Sequence, residues 1–482
     1  MKKTLVLTSF FTIISATLLL AEGGKNPKNP SVTAAELKGH IQYLAGDELQ
    51  GRFTGSEGAV KASEYIKEEF TDNGFPAFFK TGYFQEFPFI SGVEMTGANE
   101  ITLTISAAEK KLKVNEEFVT IPFSDKASVS SDLVFAGYGI SAPDLNYDDY
   151  QGIDVKGKTV ILLKFNPDID NPHSKFDKYN DLRFKAKTAL DKGASAIIFV
   201  NGYLPKDDDD KLAKMKYDGA PAVKSLAAVQ IKRNLLDEIF KAEGIDLEKY
   251  QKQINETKKP ASFVIKNSKA SITSEIRKIE RNGRNVACIV EGSDPVLKNE
   301  YIVVGAHYDH LGYGEVGSLY KGTDVKIHYG ADDNASGTSG VLEVAEKFAS
   351  MKNSLKRSVI FVAFAGEEEG LIGSNYFVQN LDIPVKSIKA MINMDMIGRL
   401  TDTTNLIING AGTSSIWKDL LTKINSSYNF KLSLMDDGYG GSDQSSFVNK
   451  DIPALFFFTG IHNDYHRPSD TPDKINYELQ AK

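Results

Sequence analysis

The sequence predicts an α/β fold, on three observations. Four nearly continuous apolar runs of strand length occupy 301–305, 359–363, 390–394 and 454–458. Such runs fit strands covered on both faces by helices, because a strand with one wet face would alternate instead. Apolar residues also recur at helical spacing, as Leu37, Ile41 and Leu44, then Ala62, Tyr65, Ile66 and Phe70, and again in a helix beginning near Ser339. The texture changes over 92–268 to short strands, among them 132–135 and 159–165, with a helix over 181–192 that leads into the apolar run 194–200. That stretch reads as a separate β-rich unit set into the α/β domain.

In chain order, residues 1–21 begin with Lys2 and Lys3, continue through an apolar run from Leu5 and end at Ala21, the plan of a secretory signal. The run is short for a membrane span and contains Thr8, Ser9, Thr12, Ser15 and Thr17, so a cleaved leader is expected rather than an anchor. The expected destination is the periplasm or the outside of the cell, with no stable membrane insertion after cleavage. Cys288 is the single cysteine, which excludes an intramolecular disulfide and a lipid-bearing cysteine near the cleavage point.

A polar link at 22–30 leads into two helices within 31–75, joined by the glycine-rich turn Gly51-Arg-Phe-Thr-Gly-Ser-Glu-Gly58. This turn reads as a connector, since it lacks the strand-to-helix setting and terminal Lys-Ser or Lys-Thr of a phosphate loop. An aromatic-rich strand is expected over 81–90. Residues 22–91 and 269–482 then form two parts of one domain, with 92–268 inserted. The run Lys206-Asp-Asp-Asp-Asp-Lys211 lacks the glycine and distal Glu of a calcium loop and is expected to be a solvated loop.

The chain has 482 residues, 41% hydrophobic and 25% charged, which excludes disordered and collagen-like classes. Lys plus Arg number 57 against 64 Asp plus Glu, a formal charge of -7 that removes the electrostatic footprint of a nucleic-acid binder.

Each apolar run is followed by residues able to hold a metal ion. His307 and Asp309 follow the first, Glu367 and Glu368 the second, Asp395 the third, and His462 and His466 the fourth. Asp332 and Asp333 stand in Gly330-Ala-Asp-Asp-Asn-Ala-Ser-Gly337 just before a helix. In open α/β sheets, ligands gather beyond the carboxyl ends of the strands, where all of these residues would meet. Imidazole and carboxylate without thiolate suit Zn or a neighbouring divalent metal, and the set is too large for one tetrahedral ion.

The blocks His307-Tyr-Asp309, Gly330 to Gly337 as above, Glu367-Glu-Glu-Gly-Leu371, Asn393-Met-Asp395 and His466-Arg-Pro-Ser-Asp-Thr471 resemble, in order, those of the co-catalytic dizinc peptidase family. That family includes secreted bacterial aminopeptidases, aminopeptidase Y and glutamate carboxypeptidase. The segments around Gly137-Tyr-Gly139, Asp149 to Lys158 and Gly193-Ala194 are similar to the protease-associated domain found inserted in many members. The resemblance implies a mixed, mostly parallel central sheet flanked by helices, a two-zinc site that also accepts Mn or Co, and peptide substrates.

Carried over by position, it makes Asp332 the carboxylate shared by both metals, Glu368 and His466 the remaining ligands of one, and His307 and Asp395 those of the other. It further implies that Glu367 is the general base, that Asp309 orients His307, and that the peptide between Asp332 and Asp333 is cis. His462 is an alternative to His466, while His310 and His328 read as loop residues. Gln444 stands where the family loop often has histidine.

The activity implied is that of an aminopeptidase. A carboxypeptidase or dipeptidase of the glutamate carboxypeptidase kind is the alternative, with Arg399 and Arg467 the arginines near the ligand blocks. A receptor-like protein with a dead site is the reading from another class. Oligomeric state is left open.

Overall fold

The computed structural model describes residues 31–206, 210–217 and 219–482, so the expected leader and most of the acidic run near 206 lie outside the described residues. The chain divides into two compact units: residues up to Phe87 together with Arg284–Lys482, and Pro88–Gly283. The junctions fall four residues before and fifteen after those expected from texture. They lie inside two long strands, Phe84–Met95 and Ile276–Val290, at Pro88 and just after the Asn282-Gly283 pair, and both strands run on through these punctuating residues.

The first unit is built on eight strands: β1 Phe84–Met95, β2 Ile276–Val290, β3 Tyr301–His307, β4 Ser358–Phe364, β5 Ile388–Met394, β6 Leu406–Asn409, β7 Leu432–Leu434 and β8 Ala454–Phe458. Their order across the sheet is β1-β2-β4-β3-β5-β8-β6-β7. The centre is parallel, since β3 pairs in parallel with β4 and β5, and β5 with β8, while β2 and β6 add antiparallel neighbours. The four apolar runs are these central strands; β4 is buried at every position, as a strand covered on both faces must be.

Helix α1, Ala34–Leu44, buries Leu37, Ile41 and Leu44 and starts at Thr33, whose side chain accepts the Glu36 amide. Helix α2, Glu57–Asp72, is capped in the same way by Ser56. Helix α3, Gly337–Met351, follows an irregular turn over Ala331–Ser336 in which Asp333 and Asn334 leave helical geometry. Among the described residues no helix is long and apolar enough to cross a membrane.

The second unit has its own eight-stranded sheet, with parallel pairing of Thr159–Leu163, Ala196–Val200 and Ala227–Ile231 at its centre. Among the described residues it carries three α-helices rather than the one read from sequence. Arg233–Ala242 and Leu247–Thr257 are the additional ones, the former burying Leu235, Leu236, Ile239 and Phe240 along one stripe.

Candidate metal centre

Because β3, β4, β5 and β8 run in parallel, His307, Glu367–Glu368, Asp395 and His466 leave the same edge of the sheet, and the turn before α3 supplies one more carboxylate. That carboxylate belongs to Asp333. Its Oδ1 lies 3.4 Å from His307 Nε2, which is also 3.4 Å from Asp395 Oδ1. Its Oδ2 lies 3.3 Å from His466 Nε2, which is 3.2 Å from Glu368 Oε2.

Asp332, expected in this place, turns away. Its Oδ1 accepts the Gly398 amide at 2.7 Å and its Oδ2 lies 3.2 Å from His462 Nε2. The cis peptide is correspondingly Asp333-Asn334, one bond later than expected. Local bonding accounts for the difference. Asp470 Oδ2 accepts the amides of both Asp332 and Asp333, at 2.9 and 3.1 Å. Asn334 accepts the amides of Gly337 and Met396 and donates to the Met394 carbonyl, locking the turn to the end of β5. Gly330, at φ 59°, closes the turn so tightly that a Cβ there would stand 2.2 Å from the Asp333 carbonyl.

Among the described residues, His307, Asp333 and Asp395 form one group able to hold a metal ion, and His310, Asp333 and Glu368 another. Two ligand atoms about 2.0–2.1 Å from a tetrahedral Zn lie about 3.3–3.4 Å apart, close to the 3.2–3.4 Å of the four contacts that link Asp333, His307, Asp395, His466 and Glu368. Asp333 Oδ2 and Asp395 Oδ1 are buried without a hydrogen-bond partner, an arrangement that is expensive unless a cation satisfies them. His466 Nδ1 is 2.9 Å from the Gly317 carbonyl; donating there leaves the Nε2 lone pair for a metal.

Other side chains hold the donors in place. Ser442 Oγ donates to Asp395 Oδ2 at 2.7 Å. The Asp309 carboxylate accepts the amides of Glu367 and Glu368 and the Thr54 hydroxyl. His307 Nδ1 is nearer the Asp309 carbonyl, at 3.2 Å, than its carboxylate, at 3.7 Å. Asp309 therefore anchors the Glu367–Glu368 turn, and its backbone, more than its carboxylate, meets His307.

The glycine-rich turn read as a connector is part of this support. Arg52, wholly buried, donates to the carbonyls of Leu44, Tyr308, Tyr329 and Gly330, tying α1 to the segments beside His307 and Asp333. Gln444 accepts from Asn393 inside the fold, and His328 bonds Ser318 outside the cluster. His310, read as a loop residue, is buried with Nδ1 2.8 Å from Glu368 Oε1.

Crowded acids in a dry site alter one another. Burial pushes the Glu367 carboxyl well above its ordinary range, with Asp395 and Glu368 adding to the shift and His307 opposing it. Burial works in the same direction on Glu368, yet the bonds from His310 and His466 overcome it and hold that carboxyl below the usual range. His466 is lowered by burial, but its bonds to Asp333 and Glu368 prevail and push it up to about 10. Glu367 also lines a cavity of about 220 Å³, with Asp333, Asp395 and His466 at one side and Met396, Phe456, Phe458, Ile461 and Tyr465 supplying apolar wall.

Residues 285–482, which contain every donor of the cluster, match the sequence profile of Peptidase family M28. The leucine aminopeptidase 2 of Trichophyton rubrum is 27% identical over 249 residues, 45% of this chain and 46% of that protein. The chain thus spans about half the length of the curated relatives it matches. An aminopeptidase from Aneurinibacillus sp. strain AM-1 shares this chain's fold with a TM-score of 0.54 and 24% identity, over 93% of this chain and 91% of that one. BSAP, a zinc aminopeptidase from Bacillus subtilis, does so with a TM-score of 0.54 and 21% identity, over 94% and 93%.

Proposed function

We propose that the chain is an exported dinuclear zinc aminopeptidase that releases N-terminal residues from peptides. The observation that carries this reading is the Asp333 carboxylate, which presents one oxygen to His307 and Asp395 and the other to His466 and Glu368. His307, Asp333 and Asp395 would hold one Zn and Asp333, Glu368 and His466 the second. Zn bound in this way supplies Lewis acidity toward a carbonyl and a lowered pKa for water.

Glu367 is the residue that moves the proton. It lies at the cavity wall, makes none of the four close contacts around Asp333, and has a carboxyl that burial raises well above its ordinary range, the direction in which a general base is tuned. It takes a proton from the attacking water and returns it to the leaving amine. The cavity seats the substrate's first residue: its aromatic and aliphatic wall suits an apolar side chain, and its acids suit a free ammonium. Its lining contains no Arg or Lys to receive a terminal carboxylate, which favours the amino-terminal over the carboxypeptidase reading.

Export rests on the leader at 1–21, and a protease-associated character for the insert over 92–268 rests on its motifs. The deciding assay compares Leu-, Phe- and Met-p-nitroanilides with their N-acetylated forms and with C-terminally free dipeptides blocked at the amine. Cleavage restricted to free-amine substrates is expected. Cleavage of the blocked dipeptides with the anilides untouched would give the site to a carboxypeptidase.

A further inference from the structure

The family pattern supplies five metal ligands, yet five further donor side chains surround Asp333, making six in all, the sixth being His310. The geometry assigns His310 the role of a positioning residue for Glu368: its Nδ1–H donates to Oε1 and leaves Oε2 as the only oxygen free to bind metal. This rests on the dinuclear reading above and concerns how one of the two ions is held.

The distances separate a positioning residue from a sixth ligand. The four contacts that a shared ion would subtend measure 3.2–3.4 Å. His310 Nδ1 to Glu368 Oε1 is 2.8 Å, a hydrogen-bond length, while the same nitrogen is 3.8 Å from Asp333 Oδ2. The two oxygens of Glu368 are therefore divided, Oε1 facing His310 and Oε2 facing His466. The ring is held where it stands. It is fully buried, and Gly330 makes room for it, since a Cβ at that position would lie 2.6 Å from ring atoms Cγ and Cδ2.

A carboxylate with Oε1 engaged in this way is steered to meet a metal through Oε2. Asp333, Glu368 Oε2 and His466 would then hold the second metal. The third position after His307 in the sequence is thus where the fold delivers an orienting imidazole.

The test uses full-length His310→Ala and His310→Asn, the latter because the Asn amide nitrogen occupies nearly the place of Nδ1. Zn affinity is measured by competition with a chromophoric chelator, and visible absorption is recorded on Co-loaded protein. Alanine is expected to weaken one of two metal equivalents by about 10–100-fold, as losses of such outer partners do, with the other equivalent unchanged. Asparagine is expected to restore that affinity, with the cobalt spectrum of the unaltered protein.

An asparagine variant as weak as alanine, with a changed cobalt spectrum, would make His310 a ligand and overturn the assignment. So would an alanine variant that binds both equivalents at full affinity. If the unaltered protein itself bound fewer than two equivalents, the dinuclear reading would fall, and the assignment with it.

Discussion

Replacing Arg52 by methionine tests whether the glycine-rich turn supports the metal centre. The guanidinium donates to the carbonyls of Leu44, Tyr308, Tyr329 and Gly330 from a fully buried position. Hydrogen bonds from a charged donor are worth about 1.5–3 kcal/mol each, so the four amount to roughly 6–12 kcal/mol gross. Burying the charge opposes this by several kcal/mol, a penalty visible in the Arg52 pKa, which burial lowers to about 10 against the pull of Asp309, Asp333 and Asp470.

The net loss expected for Arg52→Met is about 3–5 kcal/mol, or a fall of roughly 6–20 °C in the melting of the first unit. Arg52→Lys keeps the charge but not the fork, and is expected to fall between methionine and the parent. Differential scanning calorimetry of metal-loaded and chelator-treated protein is the assay. A loss below about 1 kcal/mol would refute the reasoning, because the carbonyls of Leu44, Tyr308 and Tyr329 would lose their Arg52 donor, while that of Gly330 keeps the Ala335 amide.

Two further outcomes follow from the centre itself. Asp333→Asn is expected to strip metal from both positions, whereas Asp332→Asn, at a carboxylate that meets the Gly398 amide and His462, is expected to retain most of it; elemental analysis after dialysis distinguishes them, and the reverse pattern would restore Asp332 as the shared ligand. Zn loading is expected to release protons: His466, pushed up to about 10 by its bonds to Asp333 and Glu368 against burial, is protonated in the metal-free chain at pH 7. Acid therefore favours the empty site and affinity climbs with pH, and calorimetry in two buffers of different ionisation enthalpy is expected to show proton release on Zn binding; binding without proton release would contradict this.

The four central strands and the acidic and histidine blocks behind them were legible in the sequence for a physical reason. A strand buried on both faces has to be apolar throughout, and chemistry then follows at its carboxyl end. Choosing between Asp332 and Asp333 was not possible from spacing, since adjacent identical residues differ only in the bonds of the turn that holds them, and those bonds come from Asp470 and Asn334. Arg52 gave no signal because its acceptors are main-chain carbonyls far from it in sequence, at Leu44, Tyr308, Tyr329 and Gly330. His310 looked like a loop residue because its partner, Glu368, lies 58 residues away. The two extra helices of the second unit were readable in principle: Leu235, Leu236, Ile239 and Phe240 already describe a helical stripe.

The measurement that bears most directly on the whole account is zinc content per chain, taken together with hydrolysis of leucine p-nitroanilide, for the parent and for Glu367→Gln. Near two zinc ions per chain in both proteins are predicted, with hydrolysis reduced by about 10²–10⁴-fold in the variant, the span that positioned general bases contribute. One zinc or none, or a variant that hydrolyses as fast as its parent, would contradict it.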